Sequence, residues 1–155
     1  MDSFRSLVAL LARRAASQPD ERAYVFLSDR GEEEAALTFR ELHDAAHALA
    51  AQIAGMAQPG DRALLVFPPG LEFLIAFFGC LIARVIAVPM MMPRRNSARD
   101  SSAAILSNCE PVLALTSSAF ARPGELFHKT PASARVVAIN PEKTAFLSLK
   151  SRYIG

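Results

Sequence analysis

The sequence has no GxG pair. Its seven glycines stand singly at 31, 55, 60, 70, 79, 124 and 155, so no dinucleotide fingerprint opens anywhere, and no GxxxxGK[ST] phosphate loop exists. A GxSxG elbow that would present a serine nucleophile is also missing. The acidic residues fall on loops and helix surfaces, with no apolar pocket to raise a carboxyl pKa for acid–base work. Two cysteines, Cys80 and Cys109, are too few and too far apart for a disulfide framework or a zinc site, and read as buried thiols in a reducing compartment. The net charge is only +2, with both signs interspersed, which excludes a field suited to nucleic acid or an anionic membrane surface. A secretory signal is not recognisable: Leu7 to Ala12 is short and runs into Arg13-Arg14. The expected location is the cytoplasm. From chemical motifs alone, no catalytic residue and no metal ligand set can be named.

What is present is apolar residue in quantity, 52% of 155 positions, enough for one domain with a sizeable core. The centre of the chain is Gly60 to Pro89. Arg62 to Phe67 is a short apolar run closed by Pro68-Pro69-Gly70, hence a strand feeding a turn. Leu71 to Ala83 is apolar on nearly every side, a helix that needs cover over most of its circumference. Val85 to Val88 is a second strand, closed by Pro89. Two apolar strands joined by a helix predict a right-handed βαβ crossover in a parallel sheet. Phe73 to Met92 carries one charge and matches the ~20 residues of a bilayer span. Arg84 near its centre, costing about 2.5 to 3.5 kcal/mol there, and the β-branched approach to Pro89 argue for the soluble reading.

Around this unit the pattern is regular. Ser3 is the expected cap of a first helix carrying Phe4, Leu7, Val8 and Leu11 on one face, broken at Pro19-Asp20. Ala23 to Leu27 and Ala35 to Leu37 read as short strands about a turn, with Glu32-Glu33-Glu34 as a solvated charge run on that turn. Thr38-Phe39-Arg40-Glu41 is a capping box opening a helix with Leu42, Ala46, Leu49, Ala50 and Ile53 as its apolar stripe, ended by Gly55 and Pro59-Gly60. His43 and His47 have the spacing of two metal ligands, but with Asp44 beside the first and no third ligand they read as a solvated helix face. Met90-Met91-Met92-Pro93-Arg94-Arg95-Asn96 reads as a loop, 97 to 109 as a helix stopped by Pro111, Val112 to Leu115 as a strand, and Thr116-Ser117-Ser118 as the cap of a short helix. Arg135 to Ile139 is the last clear strand, with a shorter one expected at Ala145 to Leu147. The fold class is therefore α/β, a mostly parallel sheet with flanking helices.

Taken in order, the blocks SLVALL, AYVFL, LTFREL, GDRALLVFPPGLEFLIAFFGCL, IAVPMMMPRRN and VLALTSS make residues 3 to 140 resemble the N-terminal portion of a fatty acyl-AMP ligase, in the adenylate-forming superfamily. The resemblance implies a partial N-terminal subdomain of that fold over 1 to 140. It implies a family activity in which a fatty acid and ATP, with Mg, give an acyl-adenylate for transfer to an acyl carrier protein. The family's adenylate pocket, ribose-binding acid and catalytic lysine match nothing in these residues. Residues 141 to 155 fall where its Ser/Thr/Gly-rich phosphate loop begins. Ser151 and Gly155 take matching positions, while Arg152 and Tyr153 stand where small residues would let backbone N–H groups close on phosphate. Arg84 stands where the family usually has a glycine in a left-handed helix terminus, at a cost of about 1 kcal/mol. The expectation is a ligase fragment inactive by itself, with no cofactor of its own. Two other readings stand beside it: a non-catalytic module or subunit completing a separately encoded remainder of a split ligase, and a decayed gene product. Apolar surface left uncovered would favour self-association.

Overall fold

A computed structural model of the chain describes residues 5–91, 102–117 and 134–139. Helix α1 spans Leu7–Ser17. Its cap is Ser6, not the expected Ser3: Ser6 is extended, and its Oγ accepts the Ala9 N–H at 3.1 Å. An N-cap side chain satisfies an N–H two or three residues on, and Ser6 is so placed for a helix starting at Leu7. Ser3 and Phe4 lie outside the described residues.

Strands β1 (Arg22–Leu27) and β2 (Glu33–Thr38) form an antiparallel hairpin. Ser28 organises its turn, with Oγ accepting from the N–H groups of Arg30 and Glu32, and Gly31 supplies the positive φ of +78°. The acidic run is not wholly a loop tip, as expected from its charge. Glu33 and Glu34 belong to β2, and Glu33 pairs with Arg22 at 2.8 Å, since strand pairing starts as soon as the Ser28–Glu32 hydrogen bond closes the turn.

Helix α2 (Phe39–Ala54) starts on the predicted capping box with both reciprocal bonds made: Glu41 N–H to Thr38 Oγ1 at 3.2 Å and Thr38 N–H to Glu41 Oε2 at 2.9 Å. Its buried stripe is Leu42, Ala45, Ala46, Leu49, Ala50 and Ile53.

The βαβ unit is present. Strand β3 (Arg62–Val66), helix α3 (Leu71–Ile82) and strand β4 (Ile86–Pro89) follow in order, and β3 and β4 run parallel with Leu64 opposite Val88. Strand β4 begins one residue later than the apolar run predicts, because Val85 still belongs to the helix terminus. Its N–H bonds the Cys80 carbonyl while that of Arg84 bonds Leu81, the paired bonds of a Schellman motif. Arg84 holds the left-handed position at φ +61°, where the sequence placed its misfit. Pro89 closes a strand that lies at the edge of the sheet, the place where a missing N–H is tolerated.

Helix α4 (Ser102–Cys109), strand β5 (Leu113–Ser117) and strand β6 (Arg135–Ile139) complete a four-stranded parallel sheet in the order β4-β3-β5-β6. Alternation along β3 and β5 sends Leu65, Leu113 and Leu115 into a core with α2 and α3, and Leu64, Val66 and Ala114 toward Leu106 of α4. Both faces of the sheet are covered, so its central strands are apolar runs rather than alternating ones. Close approach of α2 and α3 depends on Gly79: a Cβ there would stand 3.1 Å from Leu49 Cδ2. No helix among the described residues is long and apolar enough to cross a membrane. The described part of the expected span, Phe73 to Met91, divides into helix, turn and strand.

Candidate functional site

A doubly wound sheet offers its ligand site where neighbouring strands send their connections in opposite directions. Here that point lies between β3, which leads to β4 on one side, and β5, with β6 on the other. The carboxyl ends of β3 and β5 meet with Val66 opposite Thr116. From β3 the chain passes through Pro68-Pro69-Gly70 into α3. Gly70 is the N-cap and no side chain caps the helix. The first turn also carries an acid: Glu72 follows the cap, with Oε2 3.3 Å from where a Cβ on Gly70 would be, and its charge opposes a phosphate there. A carboxylate in the first turn is favoured by the same helix dipole that would favour a phosphate.

On the β5 side Thr116 and Ser117 are buried, and among the described residues Thr116 Oγ1 has no hydrogen-bond partner. A buried hydroxyl without a partner is uncommon and costs stability. It sits on the α4 side of the sheet, sharing the face of Ala114 in β5.

The histidine pair on α2 is close in space. The rings are 4.4 Å apart between centroids, and His43 Nδ1 lies 3.0 Å from Asp44 Oδ1. Among the described residues no group of three or more His, Cys, Asp or Glu side chains converges, so the pair lacks the further protein ligand that structural and catalytic metal sites use. The two thiols are separate: Cys80 is buried in α3, and burial pushes its pKa up to about 12, while Cys109 is half-buried with its pKa raised by desolvation. Neither is an activated nucleophile, which would need a lowered pKa.

One open cleft of about 470 Å³ lies elsewhere, between α1 and the β-hairpin. Leu10, Phe39 and Phe78 line it, Leu7 and Tyr24 stand at its exposed edge, and Arg14 contributes its guanidinium, 5.9 Å from the Phe39 ring centroid. Sequence periodicity missed it because the cleft is formed where two separately amphipathic elements fail to close on each other. The exposed apolar residues of AYVFL were its only sequence signal. The two candidate phosphate positions, Ser151 and Gly155, lie outside the described residues, as do Met92 to Asn96, the short helix expected through Ala119 and Phe120 and the strand expected at Ala145 to Leu147, while Thr116 and Ser117, expected in the cap of that helix, belong to β5.

Residues 11–150 match the family described as AMP-binding enzyme. The long-chain-fatty-acid–AMP ligase FadD26 of Mycobacterium tuberculosis H37Rv is 37% identical over 117 residues, covering 74% of this chain and 20% of the relative. JamA of Moorena producens, a medium-chain-fatty-acid–[acyl-carrier-protein] ligase, is 40% identical over 90 residues, or 58% of this chain and 15% of JamA. Among solved structures, a fatty acyl-adenylate ligase from L. pneumophila in complex with acyl adenylate and pyrophosphate superposes with a TM-score of 0.74 at 34% identity, over 88% of this chain and 23% of that one. The chain thus spans about a fifth of the length of the curated relatives it matches.

Proposed function

The chain belongs to the AMP-binding enzyme family, and from that premise we propose that it is the N-terminal scaffold of a fatty acid-activating ligase, without the groups that perform the chemistry. The observation that carries this reading is a pairing of two facts. The parallel sheet and its βαβ unit superpose on a ligase crystallised with acyl adenylate and pyrophosphate. The described residues, however, contain no glycine-rich loop and no convergent ligand group, and the open N-terminus of α3 carries the Glu72 carboxylate in its first turn. The reaction assigned to the complete enzyme joins a fatty acid to ATP, forming the acyl-adenylate and releasing pyrophosphate. The name of JamA supports an acyl carrier protein as the subsequent acceptor. ATP and Mg belong to that complete enzyme. The described residues of this chain do not fit them, for the reasons given, and the scaffold contributes burial and positioning rather than a reaction step. Ser151 and Gly155 are then remnants of phosphate-loop positions, with Arg152 and Tyr153 too large for backbone N–H groups to close around phosphate.

ATP–pyrophosphate exchange with the purified chain and fatty acids of medium and long chain tests this assignment. Exchange at the level of the protein-free blank is expected. Fatty acid-dependent exchange by the chain alone would overturn it. A second arm supplies the residues of the L. pneumophila ligase that follow the stretch this chain matches, joined to residue 140. Exchange by that joined protein is the expected result.

A further inference from the structure

Helix α2 carries a cluster of ligand-type side chains away from both the cleft and the carboxyl ends of the sheet. His43 and His47 stand four residues apart on it, with Asp44 beside the first, and none of the three belongs to its buried stripe. The arc they form is open to solvent: His47 is exposed, and the side chains of His43 and Asp44 keep 29% and 60% of their surface. The two imidazole centroids are nevertheless 4.4 Å apart, with the ring planes at 47°. Aromatic attraction favours offset parallel stacks or perpendicular edges, and this tilt is neither. His43 is also held in place, with Nδ1 3.0 Å from Asp44 Oδ1. An ionised carboxylate only accepts, so in the neutral ring Nδ1 carries the proton and the lone pair is left on Nε2. A carboxylate on the far nitrogen is the arrangement that orients a metal-ligating histidine.

We propose that His43 and His47 form an exchangeable surface site for a late first-row divalent ion of the nickel or copper type, with Asp44 positioning His43 and water filling the other positions. The separation of the rings fits one shared ion. With metal–nitrogen distances of about 2.0 to 2.1 Å, and ring centroids roughly 1.1 Å behind their nitrogens, two imidazoles at ~90° around an ion stand about 4.5 Å apart, and at the tetrahedral angle about 5.1 Å. The observed 4.4 Å matches the right angle, and tetragonal sets of nitrogen and oxygen ligands are those of Cu(II) and Ni(II). Among the described residues no group of three or more ligand-type side chains converges, so the two histidines are the protein's share and the ion exchanges with solvent. Arg40, on the preceding turn, has its guanidinium 3.5 Å from Asp20 Oδ1, an ion pair that weakens its repulsion of a bound cation. The consequence falls on α2. An ion held by residues one turn apart binds that turn only when it is helical, and it stabilises the folded chain by mass action. The site takes no part in the ligase chemistry and does not depend on that assignment.

The test titrates the untagged chain with Ni²⁺ by calorimetry, in a neutral buffer that does not chelate. Nickel is the probe because copper oxidises thiols and the chain has two. One ion per chain is the expected result. His43→Gln and His47→Gln should each weaken binding at least tenfold, and Asp44→Asn, which keeps both ligands, by roughly tenfold. His128→Gln, at the one other histidine of the sequence, should change nothing. Ring-nitrogen NMR separates positioning from a general loss of charge: the unsubstituted chain should show His43 protonated on Nδ1, and Asp44→Asn should lose that preference. Saturating Ni²⁺ should raise the urea midpoint of the unsubstituted chain and leave that of both histidine variants where it stands without metal. Mg²⁺, a hard ion that takes oxygen ligands, should do neither. No binding at millimolar Ni²⁺, binding that survives loss of both histidines, or an equal midpoint rise in the variants overturns the proposal. Unchanged affinity and tautomer in Asp44→Asn overturn the role given to Asp44.

Discussion

Replacing Arg84 by glycine should stabilise the chain. Arg84 sits at φ +61° as the left-handed residue of the Schellman motif that ends α3. Its side chain is exposed, so no packing is lost with it. For an L-residue the left-handed conformation costs about 1 to 2 kcal/mol, from crowding of Cβ against the following carbonyl. Glycine removes that cost but adds about 0.4 to 1 kcal/mol of chain entropy to the unfolded state. The net gain is about 0.5 to 1 kcal/mol, or roughly 2 to 3 °C in melting temperature for a chain of this size. The hydrogen bonds on either side, Arg84 N–H to Leu81 and Gly60 N–H to the Arg84 carbonyl, involve backbone and survive the change. Urea titration followed by circular dichroism measures the effect, with Arg84→Ala as the control that removes the charge and keeps the Cβ. Alanine should leave stability nearly unchanged. If alanine stabilised as much as glycine, the charge and not the backbone would be responsible. If glycine destabilised, the reasoning about the left-handed terminus would be refuted.

Gly79→Ala should cost up to about 2 kcal/mol: pressing the methyl on Leu49 at 3.1 Å costs about 1 to 3 kcal/mol, offset by about 0.5 to 1 kcal/mol that alanine gains over glycine inside a helix, and a chemical melt reads this directly. Thr116→Val should be neutral or stabilising by up to about 1 kcal/mol, since it replaces a buried, partnerless hydroxyl by an isosteric methyl. A loss of more than about 1 kcal/mol would show that the hydroxyl is bonded in solution. Cys80 stays protonated in the folded chain up to about pH 12, whereas its ordinary value is 9.0. Above pH 9 the unfolded thiol ionises and the folded one does not, so this group removes about 1.4 kcal/mol of stability per pH unit between those values. Cys80→Ala should therefore show a shallower alkaline decline than the unsubstituted chain, and identical slopes would refute the assignment. Thiol labelling at pH 8 should reach Cys109 before Cys80.

The elements that could be read from the sequence are those whose signal is local. Thr38 and Glu41 lie three apart, and both capping bonds formed where the spacing put them. The βαβ unit was legible because β3 and α3 are apolar all round, a pattern that only a doubly covered parallel sheet satisfies. Boundaries went astray where hydrogen bonds at a helix end, rather than apolar periodicity, decide them. Ser6 rather than Ser3 caps α1, and Val85 belongs to the helix terminus rather than to β4. Glu33 joined a strand despite its charge because register, set by the Ser28 turn, outweighs the weak preference of one exposed carboxylate. The candidate site was less accessible still. The orphan hydroxyl of Thr116 and the Glu72 carboxylate at the start of α3 are products of strand register and turn geometry. Neither has any periodic signature.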